Sequence, residues 1–279
     1  MDGMLCLLAD RGVIEVKGAD TAGFLQRLIT NSVLDIPKGE SSYAALLTPQ
    51  GKLMFDFFVV AHPHEPEAAY LIDCFKENIG ELVKRLNLHK MRANIAIADK
   101  SEDFGVAAIL GESPPVGIEG IIYRDMRTPD MGLRVIAKHD TLRRIANVGE
   151  AGYEAHRIAQ GVPKGGADFA YGDAFAHEAN LDLLNGVDFK KGCYVGQEVV
   201  ARVEFRKSAR KRIVRIHFDG RAPAQGTQIM ADGVNIGQVG SAAGDEGLAM
   251  VRLDRFKEAQ AAGLELKAGE VPVIISVPG

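Results

Sequence analysis

Three cysteines, Cys6, Cys74 and Cys193, are all that the 279-residue chain contains, and no two of them form a C-x-x-C pair. Zinc-ribbon and thioredoxin-like chemistry therefore lack their ligands. Four thiolates from one chain cannot enclose an iron–sulfur cluster here, so no permanently bound metal is expected. An odd count of widely spaced cysteines fits a reducing compartment and a cytoplasmic protein. Tryptophan is absent, which discriminates nothing. No apolar run approaches the roughly 20 residues of a membrane helix. The apolar opening, residues 1–10, is short, interrupted by Asp2 and Asp10 and without a basic leader, so it does not read as a signal peptide. There is no basic excess either: the net charge of −4 argues against direct nucleic-acid binding.

What is present is an ordinary globular composition. Apolar residues make up 47% and charged residues 25%, enough for a sizeable core without metal or disulfide staples. Residues 12–17 alternate as a strand, and Asp20 or Thr21 then caps a helix carrying Phe24, Leu25, Leu28 and Ile29. Strands are expected at 43–48, 53–61 and 70–74, the first two joined by the Pro49-Gln50-Gly51 turn. A helix at 78–87 and a strand at 93–98 follow, then strands at 105–110 and 133–137 and helices at 140–147 and 151–160, with a loop at 111–120. Interleaving on this scale implies an α+β core. Beyond residue 212, short strands parted by glycine-rich turns (213–218, 227–230, 234–239, 248–252 and 271–276) imply a small terminal β-barrel, with a boundary near 206–211.

The densest polar cluster runs from His177 to Arg215. Its second half, including Arg202, Arg206, Lys207, Arg210, Lys211 and Arg212, is basic within an acidic chain. It reads either as a solvated linker or as an anion site in which arginines clamp carboxylates or phosphates. Inside it, Lys191-Gly192-Cys193-Tyr194-Val195-Gly196-Gln197-Glu198 puts a thiol, a phenol, an amide and a carboxylate within six residues, with Gly192 and Gly196 freeing the backbone around Cys193. Cys193 is either an inert buried residue or a reactive thiol whose pKa Lys191 lowers by its charge. Lys191 and Glu198 could equally form a surface ion pair.

That octapeptide resembles the K-G-C-[FY]-x-G-Q-E signature of the YgfZ-type folate-binding proteins, relatives of the aminomethyltransferase (T-protein) of the glycine cleavage system. Lys17-Gly18-Ala19-Asp20 with Thr30-Asn31, Leu47 to Lys52 with Asp56, Arg157 to Pro163, and His177 to Asp182 resemble other segments of that family, so the likeness extends over nearly the whole chain. It implies a T-protein-like three-lobed ring around a central tetrahydrofolate channel with a C-terminal β-barrel. The folate-binding core would be residues 1–206, with lobes at 1–98 plus 151–206 and at 99–150, and the barrel residues 207–279. It also implies a role in assembling or repairing iron–sulfur clusters in client proteins, tRNA-modifying enzymes among them, centred on Lys191 and Cys193. Glu178 stands where the T-protein holds the pterin, and Arg202 and Arg206 could meet the glutamate tail. Phe55 precedes Asp56, so one acid of the T-protein pair is missing; Asp56 either touches folate or is a strand-edge carboxylate. Three functions stay open: a folate-dependent accessory factor for iron–sulfur proteins, a one-carbon transferase, and a folate-binding docking module without chemistry.

Overall fold

The computed structural model describes residues 4–65, 68–111, 113–206 and 208–278. The chain divides into two compact units. The first comprises Met1–Pro49, Met54–Tyr153 and Leu183–Gln197; the second comprises Gln50–Leu53, Glu154–Asp182 and Glu198–Gly279.

The first unit runs β1 (Met4–Leu8), β2 (Arg11–Lys17), α1 (Thr21–Gln26), β3 (Ser41–Leu47), β4 (Leu53–Ala61), β5 (Ala69–Phe75), α2 (Ile79–Lys90), β6 (Ala96–Asp99), β7 (Phe104–Leu110), β8 (Ile121–Arg124), β9 (Leu133–Lys138) and α3 (His139–Ile145). Its strands form two sheets, ordered β3-β4-β5-β2-β6 and β1-β7-β9-β8. Strand β4 shows why both faces of the first sheet are covered. Phe55, Phe57 and Val59 point to one side and join Phe24 and Leu25 of α1 and Leu82 and Leu86 of α2 in an apolar core. Burying a side chain such as Leu82 contributes about 2 kcal/mol. Asp56 and Phe58 point the other way, as alternation requires. Asp73 of β5 lies opposite Phe58 in the register.

That second face is a polar seam between the sheets. Asp73 accepts the Tyr123 hydroxyl at 2.8 Å and pairs with Arg134 at 2.7 Å and Arg11 at 2.6 Å. Asp125 pairs with Arg127 at 2.6 Å and with Arg134 at 3.0 Å, and the Tyr153 hydroxyl meets both guanidinium groups. Burial alone would raise the Asp73 carboxyl; Arg11 and Arg134 hold it below the usual carboxylate range. Asp125 is held well below that range in the same way by Arg127 and Arg134.

In the second unit, α5 (Gln197–Arg206) leads into β10 (Lys211–Phe218), β11 (Gln228–Ala231), β12 (Val234–Ala243), β13 (Glu246–Arg252), α6 (Leu253–Ala261), β14 (Leu266–Ala268) and β15 (Val271–Ser276). The strands close into a barrel, β10-β13-β12-β11-β14-β15, which leaves no unpaired edge to template association. Phe256 and Ala259 of α6 join the barrel's core. The barrel's unit also takes in residues 154–182. The reason is a buried knot around Asp168. Arg157 of α4 (Glu150–Ala159) pairs with Asp168 at 3.0 Å and donates to the Ser241 hydroxyl at 2.6 Å, and the Ser241 amide donates to Asp168 at 2.6 Å. Gly240 makes this possible, since a Cβ there would stand 2.4 Å from the Asp168 carboxylate.

The α+β class and the terminal barrel are as expected. Strands β1, β8 and β14 and helices α5 and α6 are additions to the sequence reading. Asp20 does not cap α1: its carboxylate accepts the Asn94 amide at 2.7 Å. Lys207, at the edge of the expected basic run, lies outside the described residues.

Candidate functional site: an anchored loop bearing Cys193

Residues 183–197 carry no helix or strand until α5 begins at Gln197, yet the loop is held at nearly every step. The Thr30 hydroxyl donates to the Gly186 carbonyl at 2.6 Å, and the Thr30 carbonyl accepts the Asp188 amide at 3.1 Å. Asn31 donates to the carbonyls of Asn185 and Tyr43 at 2.7 and 2.9 Å. Asp188 then folds back on its own chain, its Oδ1 accepting the amides of Lys190 and Lys191 at 2.8 and 3.1 Å.

Lys191 is a further anchor. It is buried, and its ammonium donates to the carbonyls of Ile29 and Asn31, both at 2.7 Å, while lying over the Tyr194 ring. Burial pushes the ammonium down to about 8, against the smaller opposing pull of Asp188. Tyr194 is buried too, and burial pushes its phenol up to about 12. Val195 packs against the core of the five-stranded sheet. Gly196, at φ +81°, turns the chain into α5. Gln197 closes that turn: its amide donates to the Tyr194 carbonyl at 3.3 Å and its side chain accepts the Tyr194 amide at 3.4 Å.

Between these anchors Gly192 and Cys193 are left exposed, and Cys193 carries a free thiol. Cys6 and Cys74 are in no disulfide and are buried, and burial drives the Cys74 thiol up to about 12. Thiolate chemistry with an external partner is thus concentrated at one position. The geometry revises the role expected of Lys191. Its ammonium is engaged by two main-chain carbonyls, so its described work is to seat the loop that displays the thiol.

The linkage of Lys191 to stability follows from its lowered pKa. Between about pH 8 and 10.5 the unfolded chain holds a proton on this lysine that the folded chain has released. Stability contributed here therefore rises with pH across that window and is lowest below it. Lys191→Met is expected to flatten this part of the pH–stability curve, measured by urea unfolding. An unchanged slope would contradict the assignment.

The remaining expected site residues lie in both units. Asp56 is buried and accepts the Tyr43 hydroxyl at 2.9 Å, on the seam side of β4, so it is not an exposed strand-edge carboxylate. Glu178 is half-buried, and its Oε2 accepts the Phe175 amide at 2.9 Å, as a carboxylate does at the start of a turn. Arg202 pairs with Glu198 at 2.6 Å across one turn on the exposed face of α5, a contact worth at most a few tenths of a kcal/mol. Arg206 is exposed in the last turn of that helix. His177, Asp182 and Glu204 bring one ligand atom each within 4.8 Å of the others, but Asp182 already grips Arg212 through both oxygens, at 2.9 and 3.0 Å. Asn31, Thr30 and Asp188 escaped assignment as site residues. Thr30-Asn31 stood among the segments with a family likeness, but their partners lie more than 150 residues away.

Comparison with known proteins first defines the class. The GCVT N-terminal domain model matches residues 8–161, and the CAF17 C-terminal beta-barrel domain model matches residues 210–279. The aminomethyltransferase T of the glycine cleavage system from Bartonella henselae shares the fold, with a TM-score of 0.77 at 16% identity over 99% of this chain and 85% of that one. More particularly, the chain is 31% identical to the mitochondrial iron-sulfur cluster assembly factor IBA57 of Homo sapiens, over 97% of this chain and 83% of that protein. The Mus musculus protein of the same name is also 31% identical, over 90% and 78%. The chain belongs to the family of GCVT-domain proteins with a CAF17-type terminal barrel that includes the IBA57 factors. These relatives are named as mitochondrial, where the cysteine usage had pointed to the cytoplasm. Among the described residues no helix is long and apolar enough to cross a membrane.

Proposed function

We propose that this protein is an accessory factor for iron–sulfur cluster assembly, in which Cys193 supplies one thiolate to a cluster whose other ligands come from a partner. The observation that carries this reading is the exposed free thiol on a loop otherwise pinned by Lys191, Asp188 and Tyr194. One thiol cannot hold a cluster by itself, so the fitting partners are cluster carriers or client proteins that bring further thiolates. The names of the IBA57 relatives support the same role. The test is gel filtration of the chain with a cluster-loaded carrier protein under anaerobic conditions. Iron and visible absorbance should co-elute with both proteins. Cluster that stays wholly with the carrier would overturn the reading.

Tetrahydrofolate, or a one-carbon derivative, is the small ligand we assign to it, on the strength of the YgfZ-like signature and the T-protein fold. Glu178 would hold the pterin edge, with Arg202 and Arg206 available to the glutamate tail. Tetrahydrofolate is expected to raise the melting temperature, and Glu178→Gln to reduce that shift severalfold through weaker binding. An equal shift in the variant would remove Glu178 from the site. A one-carbon transferase remains the second reading. The burial of Asp56 against Tyr43, with Phe55 in the apolar core in place of a second acid, tells against it.

A further inference from the structure

We propose that the cleft between α1 and the end of α2 binds a small polyanion, a molecule carrying several phosphate or carboxylate groups. The cleft has a volume of 740 Å³, within the range of small-molecule sites, and Arg27, His89, Lys90 and Arg92 line it. These cations converge from separate places: Arg27 directly follows α1, His89 and Lys90 end α2, and Arg92 lies beyond it. Asp20 is the acidic group of the lining, and its Oδ2 is taken by the Asn94 amide. Such a concentration of positive charge runs against the sign of the chain, whose net charge is −4.

Helix electrostatics explains part of it. Basic side chains in a last turn offset the negative end of the helix dipole, which accounts for His89 and Lys90. It does not account for Arg27 or Arg92. Met91, which joins α2 to Arg92, takes φ +47° and ψ −109°, a sparsely populated conformation for a residue with a side chain. Met91 is 89% exposed, and Arg92 lines the cleft beside it. Strain of this kind persists where the surroundings impose it and gathers at binding sites. Among the described residues neither Arg27, Lys90 nor Arg92 forms an ion pair. Arginine presents a planar fork of donors to phosphate or carboxylate oxygens, and lysine adds a point charge. His89 adds a ring nitrogen able to donate a hydrogen bond. Phe24 and Ala93 supply an apolar part of the lining. None of the residues lining this cleft is among those assigned above to the cluster or to folate.

The experiment is calorimetric titration of the full chain with two probes, tripolyphosphate and tetraglutamate, at about 50 mM salt and again at about 200 mM. At least one probe should bind one-to-one, more weakly at the higher salt, and the one that binds tighter identifies the anionic group. Arg27→Glu and Arg92→Glu, both exposed positions, should each weaken it about tenfold. Arg143→Glu, an exposed charge reversal on α3, should change it less than twofold. No binding of either probe overturns the proposal, as does an equal loss in Arg143→Glu, which would make net charge alone responsible. Melting temperatures confirm that each variant is folded.

Discussion

Cys193→Ser is expected to remove the protein's ability to restore cluster-dependent enzyme activity in cells that lack it, while leaving its melting temperature within about 1 °C of the parent. The two readouts separate because the side chain is exposed. A near-isosteric change at the surface away from any buried network moves stability by less than about 0.5 kcal/mol. Ligation is another matter. A serine hydroxyl is a hard, protonated donor, whereas iron in these clusters takes soft thiolate ligands. Loss of a direct ligand should cost at least the roughly tenfold or more seen when only a supporting group around a metal is lost. Full restoration of activity by Cys193→Ser would sink the thiolate role. A variant that melts far below the parent would instead place this side chain in the packing, contrary to its exposure.

The largest effect on stability belongs to the seam between the sheets. Arg134→Met is expected to cost about 3–5 kcal/mol, because the methionine leaves buried carboxylates short of a counter-charge. Arg134 is 2% exposed and joins Asp73, Asp125 and the Tyr153 hydroxyl. Arg11 still reaches Asp73 and Arg127 still reaches Asp125, so neither carboxylate is wholly abandoned. Acid should expose the same network in the parent. Both carboxyls are held below their usual range, so the stability they contribute is present above the unfolded-state pKa and is lost as pH falls through the lower folded values. Arg134→Met should therefore lose less on acidification than the parent. Urea unfolding at neutral and acid pH checks both statements. A cost under about 1 kcal/mol at neutral pH would mean that the seam relaxes around the vacancy.

The alternating and amphipathic parts of the fold were legible before any coordinates. The strand expected at 53–61 is β4, and that expected at 271–276 is β15, at the same bounds. Both are runs of mainly apolar and β-branched residues, interrupted by Asp56 in the first and Pro272 in the second. Strand β1 was missed because five mostly apolar residues near the start of a chain have no alternation to distinguish them. Helix α5 was hidden by its own polar residues, which drew attention as a charged linker. At the site, the octapeptide around Cys193 was conspicuous from its unusual composition. The work of Lys191 was not, because its acceptors lie 160 or more residues back along the chain. Arg134 illustrates the same limit. In a strand reading, an arginine between apolar residues belongs on a solvent face; here that face meets a second sheet, and only the carboxylates brought by β5 and by the turn after β8 make its burial tolerable.

The seat of Lys191 has a consequence for how freely this region can vary. Both acceptors are main-chain carbonyls, which every residue type provides. Drift of the side chain at position 29 among aliphatic residues would leave the receptacle unaltered. The burden of preservation falls on one partner only. Arginine, with its broad planar head, cannot replace a compact ammonium between two converging oxygens without opening the loop. A lineage could thus remodel the wall facing the core while the displayed thiol stays where it is, provided that this lysine and the loop's other side-chain anchors, Thr30, Asn31 and Asp188, are kept.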